Sequence, residues 1–104
     1  MDPLPSLYSK LELTPKLMVA CQVGLGGETR LSAVATELDA ISGESWRCME
    51  TCWLVITNVL AANVRDALTR HLTETDRLLV ALLSDHACWH GFEPHHEDWL
   101  LSRL

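Results

Sequence analysis

The chain has 104 residues, of which 48% are hydrophobic, and a net charge of −6 at pH 7, values that fit one globular domain with a modest core. Its eight basic residues form no tail or stripe, which argues against nucleic-acid binding, because such binding needs Lys and Arg to neutralise phosphates. The N-terminus lacks the basic segment and long apolar core of a signal peptide, and no run approaches the ~20 apolar residues that span a bilayer. We therefore predict a cytoplasmic protein that does not enter a membrane.

The beginning of the chain predicts a strand followed by a helix. Residues 1–16 are predicted to form an irregular leader, and residues 17–104 a single domain. Within that domain the apolar run 17–23 predicts a core strand, and the glycines that follow it predict a turn. Residues 28–41 then carry apolar side chains at helical spacing and predict the first helix.

The middle of the chain predicts further strand structure and a second helix. Residues 45–57 contain no turn signal and predict either one long strand or two strands broken by a bulge at residues 50–51. Residues 60–72 return to helical spacing, and Asn58 is a suitable cap in front of that helix.

The end of the chain predicts one more strand and a short helix. Residues 77–84 form a run that is apolar on both faces, which is typical of a strand in the interior of a sheet. The tail predicts a helix over residues 97–104, with Leu100, Leu101 and Leu104 on a single stripe. The order of elements predicts an α+β fold of the ferredoxin-like type β-α-β-β-α-β, with an antiparallel sheet, two helices on one face and a short C-terminal helix. The other sheet face is left open, and a partner subunit is the simplest cover.

A motif in the middle of the chain extends through the second predicted helix and the last strand. It consists of Arg47, Glu50, Thr51, Trp53, Leu54 and Val55, then Ala61, Ala62, Val64, Arg65, Asp66, Leu68, His71 and Leu72, then Asp76, Arg77, Leu78, Leu79 and Val80, and finally Trp89. This pattern resembles the SinR-like small proteins, which are similar to CRISPR-associated protein 2, the small dimeric ferredoxin-fold subunit of CRISPR adaptation. The resemblance covers residues 17–90. It implies a fold and a dimer, and it implies no particular activity, because SinR-like proteins mostly lack an assigned function.

The chain departs from the nuclease members of that group at one position. Those relatives carry an aspartate at the end of the first strand, and the aspartate of each subunit helps to hold a divalent metal at the dimer interface. The matching residue here is Gln22, which cannot supply the negative charge that recruits Mg²⁺. We therefore favour a protein without catalytic activity. The alternative is a metal-dependent nuclease that uses other carboxylates, and the candidates are Asp85, Glu97 and Asp98.

The cysteines and histidines predict neither a disulfide nor a metal site. If Cys48 and Cys52 occupy one strand, four residues of extended chain separate them by roughly 13 Å, which is too far for a disulfide. We expect all four cysteines to be buried, reduced thiols. His86 and His90 have the spacing of two ligands on one helix turn, but Gly91 and Pro94 interrupt a helix directly after them. We predict no metal and no cofactor.

The charge, the open sheet face and Gln22 together predict a homodimeric protein-interaction module. We expect the last long strand and the tail to form the dimer contact, through Leu79, Leu82, Leu83, Trp89 and Trp99. A further protein partner, still unidentified, is expected, and the resemblance suggests a mobile-element or phage-defence setting.

Overall fold

A computed structural model describes residues 14–84 and 87–104 of the chain. Within those residues it shows an α+β fold of four strands and three helices. The elements are β1 (Lys16–Gln22), α1 (Glu28–Ile41), β2 (Glu44–Met49), β3 (Cys52–Ile56), α2 (Ala61–Thr69), β4 (Arg77–Leu82) and α3 (Pro94–Arg103). The strands form one antiparallel sheet in the order β2-β3-β1-β4, so β2 and β4 are its two edges. Most of the predicted leader lies outside the described residues, and β1 begins at its last position.

The hydrophobic core lies between one face of the sheet and helices α1 and α2. Side chains alternate between the two faces along each strand, and residues opposite each other in the ladder share a face. Val19 pairs with Trp53, and both are buried in the core cluster. The helices bury their apolar stripes against this face, with Leu31, Val34 and Leu38 from α1 and Val64 and Leu68 from α2. The helix period in residues 28–41 is thus confirmed, and both helices share one sheet face.

Residues 45–57 form two strands that are separated at residues 50–51, as one of the two predicted alternatives had it, but the break is a hairpin turn and not a bulge. The chain turns at residues 50–51, and β3 then runs back along β2 with Cys52 opposite Met49. The ladder is irregular between Trp46 and Met49, in the middle of β2. Arg47 supports the turn locally, because its Nε donates a hydrogen bond of 2.8 Å to the backbone oxygen of Glu50.

The second helix is shorter than predicted and begins without a side-chain cap. It spans Ala61–Thr69, so the expectation that Asn58 caps it was wrong. The neighbouring Thr57 is the residue that organises this corner. Its buried hydroxyl accepts a hydrogen bond from the Val59 amide at 3.0 Å and donates one to the Ile41 carbonyl at 2.9 Å. One buried hydroxyl therefore joins the end of α1 to the turn before α2.

The tail forms a helix that begins three residues earlier than predicted. Pro94 lies in its first turn, where its fixed φ suits a helix and its missing amide hydrogen costs no hydrogen bond. Leu100 is 2% exposed and Leu101 is 70% exposed, so the expectation of a single leucine stripe was wrong for Leu101. None of the helices in the described part of the chain combines the length and the apolar composition needed to cross a lipid bilayer.

Candidate functional site

The sheet face opposite α1 and α2, called here the open face, is covered along the β2 edge by helix α3. Trp46 of β2 lies opposite Leu54 of β3, which places both on the open face. The ring of Trp46 packs against Phe92, His96 and Trp99, with ring centroids 5.2, 4.8 and 5.4 Å away. Such tilted and edge-to-face contacts are favourable arrangements for aromatic rings. An aromatic cluster therefore anchors the tail to its own sheet.

Charged groups reinforce the docking of α3 at the same edge. Arg103 near the end of α3 donates to Glu44 of β2 at 2.7 Å, and its guanidinium lies 4.9 Å from the centroid of the Trp99 ring. Leu100 is buried although it lies outside the core cluster between the sheet and the first two helices. The tail therefore builds a second, smaller apolar layer on the open face.

The other half of the open face, along β1 and β4, is left partly uncovered. Here Met18 lies opposite Ala81, and Ala20 lies opposite Leu79. Leu79 is 56% exposed, and Leu82, which lies opposite Leu17 and thus on the helix face of the same strand, is 67% exposed. Among residues 14–84 and 87–104, no strand pairs with the outer side of β4. We call strand β4, with these two exposed leucines, the β4 edge.

The position of β4 corrects one expectation from the sequence. A run that is apolar on both faces predicts an interior strand, whereas β4 is at the edge of the sheet. It also ends at Leu82, two residues before the predicted end. Edge strands in soluble proteins are normally blunted by charges, prolines or bulges. The opposite edge, β2, has an irregular ladder and is covered by α3, whereas the pairing of β1 with β4 runs without a register shift.

The predicted interface residues fall into two groups. Leu79 and Leu82 are exposed on the β4 edge, and the backbone amide of Leu83, just beyond it, donates to the Lys16 carbonyl at 2.8 Å. The two tryptophans belong to the tail and have partners within the chain. Trp89 donates from Nε1 to Glu97 at 3.2 Å, and Trp99 packs on Trp46.

The Gln22 end of β1 adjoins the β4 edge. Gln22 is the last residue of β1 and lies opposite Arg77, the first residue of β4. An open cavity of about 220 Å³ at this corner is lined by residues that include Gln22, Thr51 and Arg77. This corner therefore places the amide of Gln22 across the ladder from the guanidinium of Arg77.

The metal and nuclease candidates are not brought together in the described residues. His86 and Asp85 lie outside those residues, and His90 is exposed. Glu97 accepts the Trp89 hydrogen bond, and Asp98 is exposed on α3. Across residues 14–84 and 87–104, no three His, Cys, Asp or Glu side chains lie close enough together to hold one metal ion.

A buried carboxylate that the sequence analysis missed, Asp76, directly precedes β4. The Asp76 side chain is 0% exposed and accepts four hydrogen bonds of 2.8 to 3.0 Å, two from Arg30 and one each from the amides of Gly24 and Thr73. The Arg30 hydrogen bonds, followed by those from Thr73 and Gly24, hold the pKa of this carboxyl well below its usual range. Asp76 thus fixes the start of β4 to α1 and to the glycine turn. Because its hydrogen-bonding capacity is taken up within the chain, its role is structural.

A second ionic cluster joins the two core helices. Glu37 of α1 accepts hydrogen bonds from Arg70 and from Nε2 of His71, the latter at 2.9 Å. His71 and then Arg70 lower the pKa of the Glu37 carboxyl. This arrangement ties the C-terminal end of α2 to α1.

Comparisons with known proteins give no family for this chain. Neither a scan against protein-family models nor a search of curated protein sequences finds a match.

Proposed function

We propose that this protein is a non-catalytic homodimeric interaction module whose two copies associate through the β4 edge. The observation that carries this proposal is the mismatch between the sequence and the position of β4. Its residues are apolar on both faces, as in an interior strand, yet β4 is at the edge of the sheet with Leu79 and Leu82 exposed. Pairing of β4 with its copy across a twofold axis makes both strands interior and covers both leucines.

The choice of β4 over β2 rests on the contrast between the two edges. Strand β2 is irregular between Trp46 and Met49, and α3 packs beside it. Strand β4 keeps a regular register with β1 over its whole length, from Arg77 to Leu82. A straight, regular edge is the better template for pairing with a second chain.

The finer fold assignment is part of the same proposal. The chain order β-α-β-β-α-β and the sheet order β2-β3-β1-β4 support a ferredoxin-like arrangement, and with it the similarity to SinR-like proteins and CRISPR-associated protein 2. Gln22 opposite Arg77 supports the non-catalytic assignment, because neither side chain supplies a carboxylate for Mg²⁺. We place the dimer in the cytoplasm, with an unidentified protein partner in a mobile-element or phage-defence system.

The dimer is tested by measuring the mass in solution of two matched double variants. We expect the wild type at micromolar concentration to have twice the protomer mass of 11.6 kDa. L79K/L82K should be monomeric, because two ammonium groups on the paired edge would be buried without partners. The control L60K/L101K carries the same change at two leucines that lie outside β4 and are each 70% exposed. This variant should remain a dimer. A wild-type protein of 11.6 kDa, or equal dissociation of both variants, would reject the β4 interface.

The non-catalytic assignment has its own assay. The purified wild-type dimer is incubated with single-stranded RNA and with duplex DNA in Mg²⁺ or Mn²⁺, and we expect no cleavage. Cleavage that is lost in Glu97→Gln or Asp98→Asn, with the solution mass unchanged, would instead establish the nuclease alternative.

A further inference from the structure

The hairpin of β2 and β3 brings two cysteines together. Met49 lies directly opposite Cys52, and Cys48 is next to it in the irregular stretch of β2. The Cys48 Sγ lies 3.5 Å from the backbone oxygen of Cys52. The distance of roughly 13 Å expected for a single extended strand was therefore wrong, because the chain reverses at residues 50–51.

The surroundings set this pair apart from the other two cysteines. Cys48 is half-buried and Cys52 is buried, and both are free thiols. Cys52 lies opposite Ala20, whereas the next residue of β1, Cys21, belongs to the core cluster on the other sheet face. Cys88 is exposed near the tail, contrary to the expectation that all four thiols are buried. Both members of the pair are on the β2 side of the sheet, away from the β4 edge.

We propose that Cys48 and Cys52 form a reversible intramolecular disulfide with each other. The oxidant is a low-molecular-weight disulfide such as glutathione disulfide, which reacts by thiol–disulfide exchange. In the first step the Cys48 sulfur, the more exposed of the two, attacks glutathione disulfide, loses its proton and expels one glutathione thiolate. In the second step the Cys52 sulfur attacks the mixed disulfide at Cys48, loses its proton and expels the second glutathione thiolate. Two protein thiols are oxidised and one glutathione disulfide is reduced to two glutathione thiols.

The irregular ladder is what permits this bond. The residue directly opposite Cys52 is Met49, so Cys48 lies one position away from the cross-strand neighbour whose Cα separation suits a disulfide. The register shift between Trp46 and Met49 gives the backbone at Cys48 freedom to adjust. The bond would staple β2 to β3 beside the turn that Arg47 already supports through Glu50. The hairpin would then be closed by a covalent link as well as by its ladder.

The reaction should be slow at neutral pH and faster in alkali. Burial, the charge of Cys52 and a hydrogen bond to the Cys52 thiol raise the pKa of Cys48 to about 12. Because the thiolate is the attacking species, the initial rate should rise about tenfold per pH unit from about pH 7 to about pH 9. A rate independent of pH over that range would contradict attack by Cys48.

The bond is tested in the full chain carrying Cys88→Ser, which removes the exposed competitor. The protein is equilibrated with glutathione disulfide, its remaining thiols are alkylated, and it is digested with trypsin. Cleavage after Arg47 and Arg65 leaves Cys48 and Cys52 in one peptide. We expect that peptide to lose two hydrogen atoms, to resist alkylation and to recover both thiols with dithiothreitol.

Matched variants identify the partners. Cys48→Ser and Cys52→Ser, each in the Cys88→Ser background, should both abolish the loss of two hydrogens, whereas Cys21→Ala should leave it intact. A peptide that stays fully alkylated in glutathione disulfide would overturn the proposal. So would a stable glutathione adduct on Cys48, or a crosslink that includes Cys21. If one of these further variants fails to fold, the peptide from the Cys88→Ser protein, which keeps both Cys48 and Cys52, decides by itself whether the disulfide forms.

Discussion

At the scale of single residues, long-range polar contacts hold this fold in ways that local sequence patterns do not reveal. Asp76 and Arg30 are 46 positions apart, and Asp76 is followed directly by Arg77, which is the obvious partner in the sequence. The carboxylate instead turns inward, because the amides of Gly24 and Thr73 and the Arg30 guanidinium provide donors for its buried oxygens. A buried charge is tolerated only with such complete pairing.

This arrangement predicts a specific dependence of stability on pH. The folded-state pKa of Asp76 is depressed, so its contribution is fully present above the unfolded aspartate pKa of about 4 and is lost as the pH falls further below that value. Asp76→Asn should lower the urea midpoint at pH 7, and its difference from the wild type should shrink progressively below about pH 4. The matched control Asp66→Asn removes a carboxylate whose side chain is 65% exposed, and it should change the midpoint little at any pH. An equal effect of both substitutions at pH 7 would contradict the structural role of Asp76.

At the scale of elements, the sequence predicted the elements whose apolar residues recur with a clear period. It failed where contacts between distant segments determine the turn, the cap or the buried face. Helix α1 appears with the predicted bounds because its apolar stripe is long and uninterrupted. The β2–β3 turn was missed because it uses Glu50 and Thr51, with neither glycine nor proline, and is supported by Arg47. Asn58 was a reasonable cap by residue type, but Thr57 is the residue whose hydroxyl can also reach the Ile41 carbonyl. Leu101 has the same chemistry as Leu100, and only the docking of α3 distinguishes them.

That distinction gives a direct measure of how much α3 contributes. Leu100→Ala should lower the free energy of unfolding by about 2–4 kcal/mol, since it removes a buried side chain and leaves a cavity. Leu101→Ala, in the next position of the same helix, should change it by less than about 0.5 kcal/mol. Urea unfolding at one fixed protein concentration provides both values. Equal effects would mean that α3 does not dock on its own sheet as described.

At the scale of the whole molecule, the sequence predicted an open sheet face but not how it is divided. The tail covers the β2 half through Trp46 and Trp99, so these tryptophans are occupied within one chain. The β1–β4 half keeps Leu79 exposed. No local pattern could show this division, because it depends on the packing of α3 against Trp46, which is distant from α3 in the sequence. The uncovered half and the β4 edge are contiguous, since Leu79 belongs to both.

A homodimer through that surface must show its association in the thermodynamics of unfolding. When folding and association are coupled, a tenfold increase in protein concentration stabilises the dimer by about 1.4 kcal/mol, which corresponds to a rise of about 3–6 °C in Tm. The wild type should show this rise in calorimetric scans across two decades of concentration, and L60K/L101K should show the same slope. L79K/L82K, as a folded monomer, should have a Tm that does not change with concentration. If the wild-type Tm is also constant, the exposed leucines of β4 are not covered by a second copy, and the β4 homodimer is rejected.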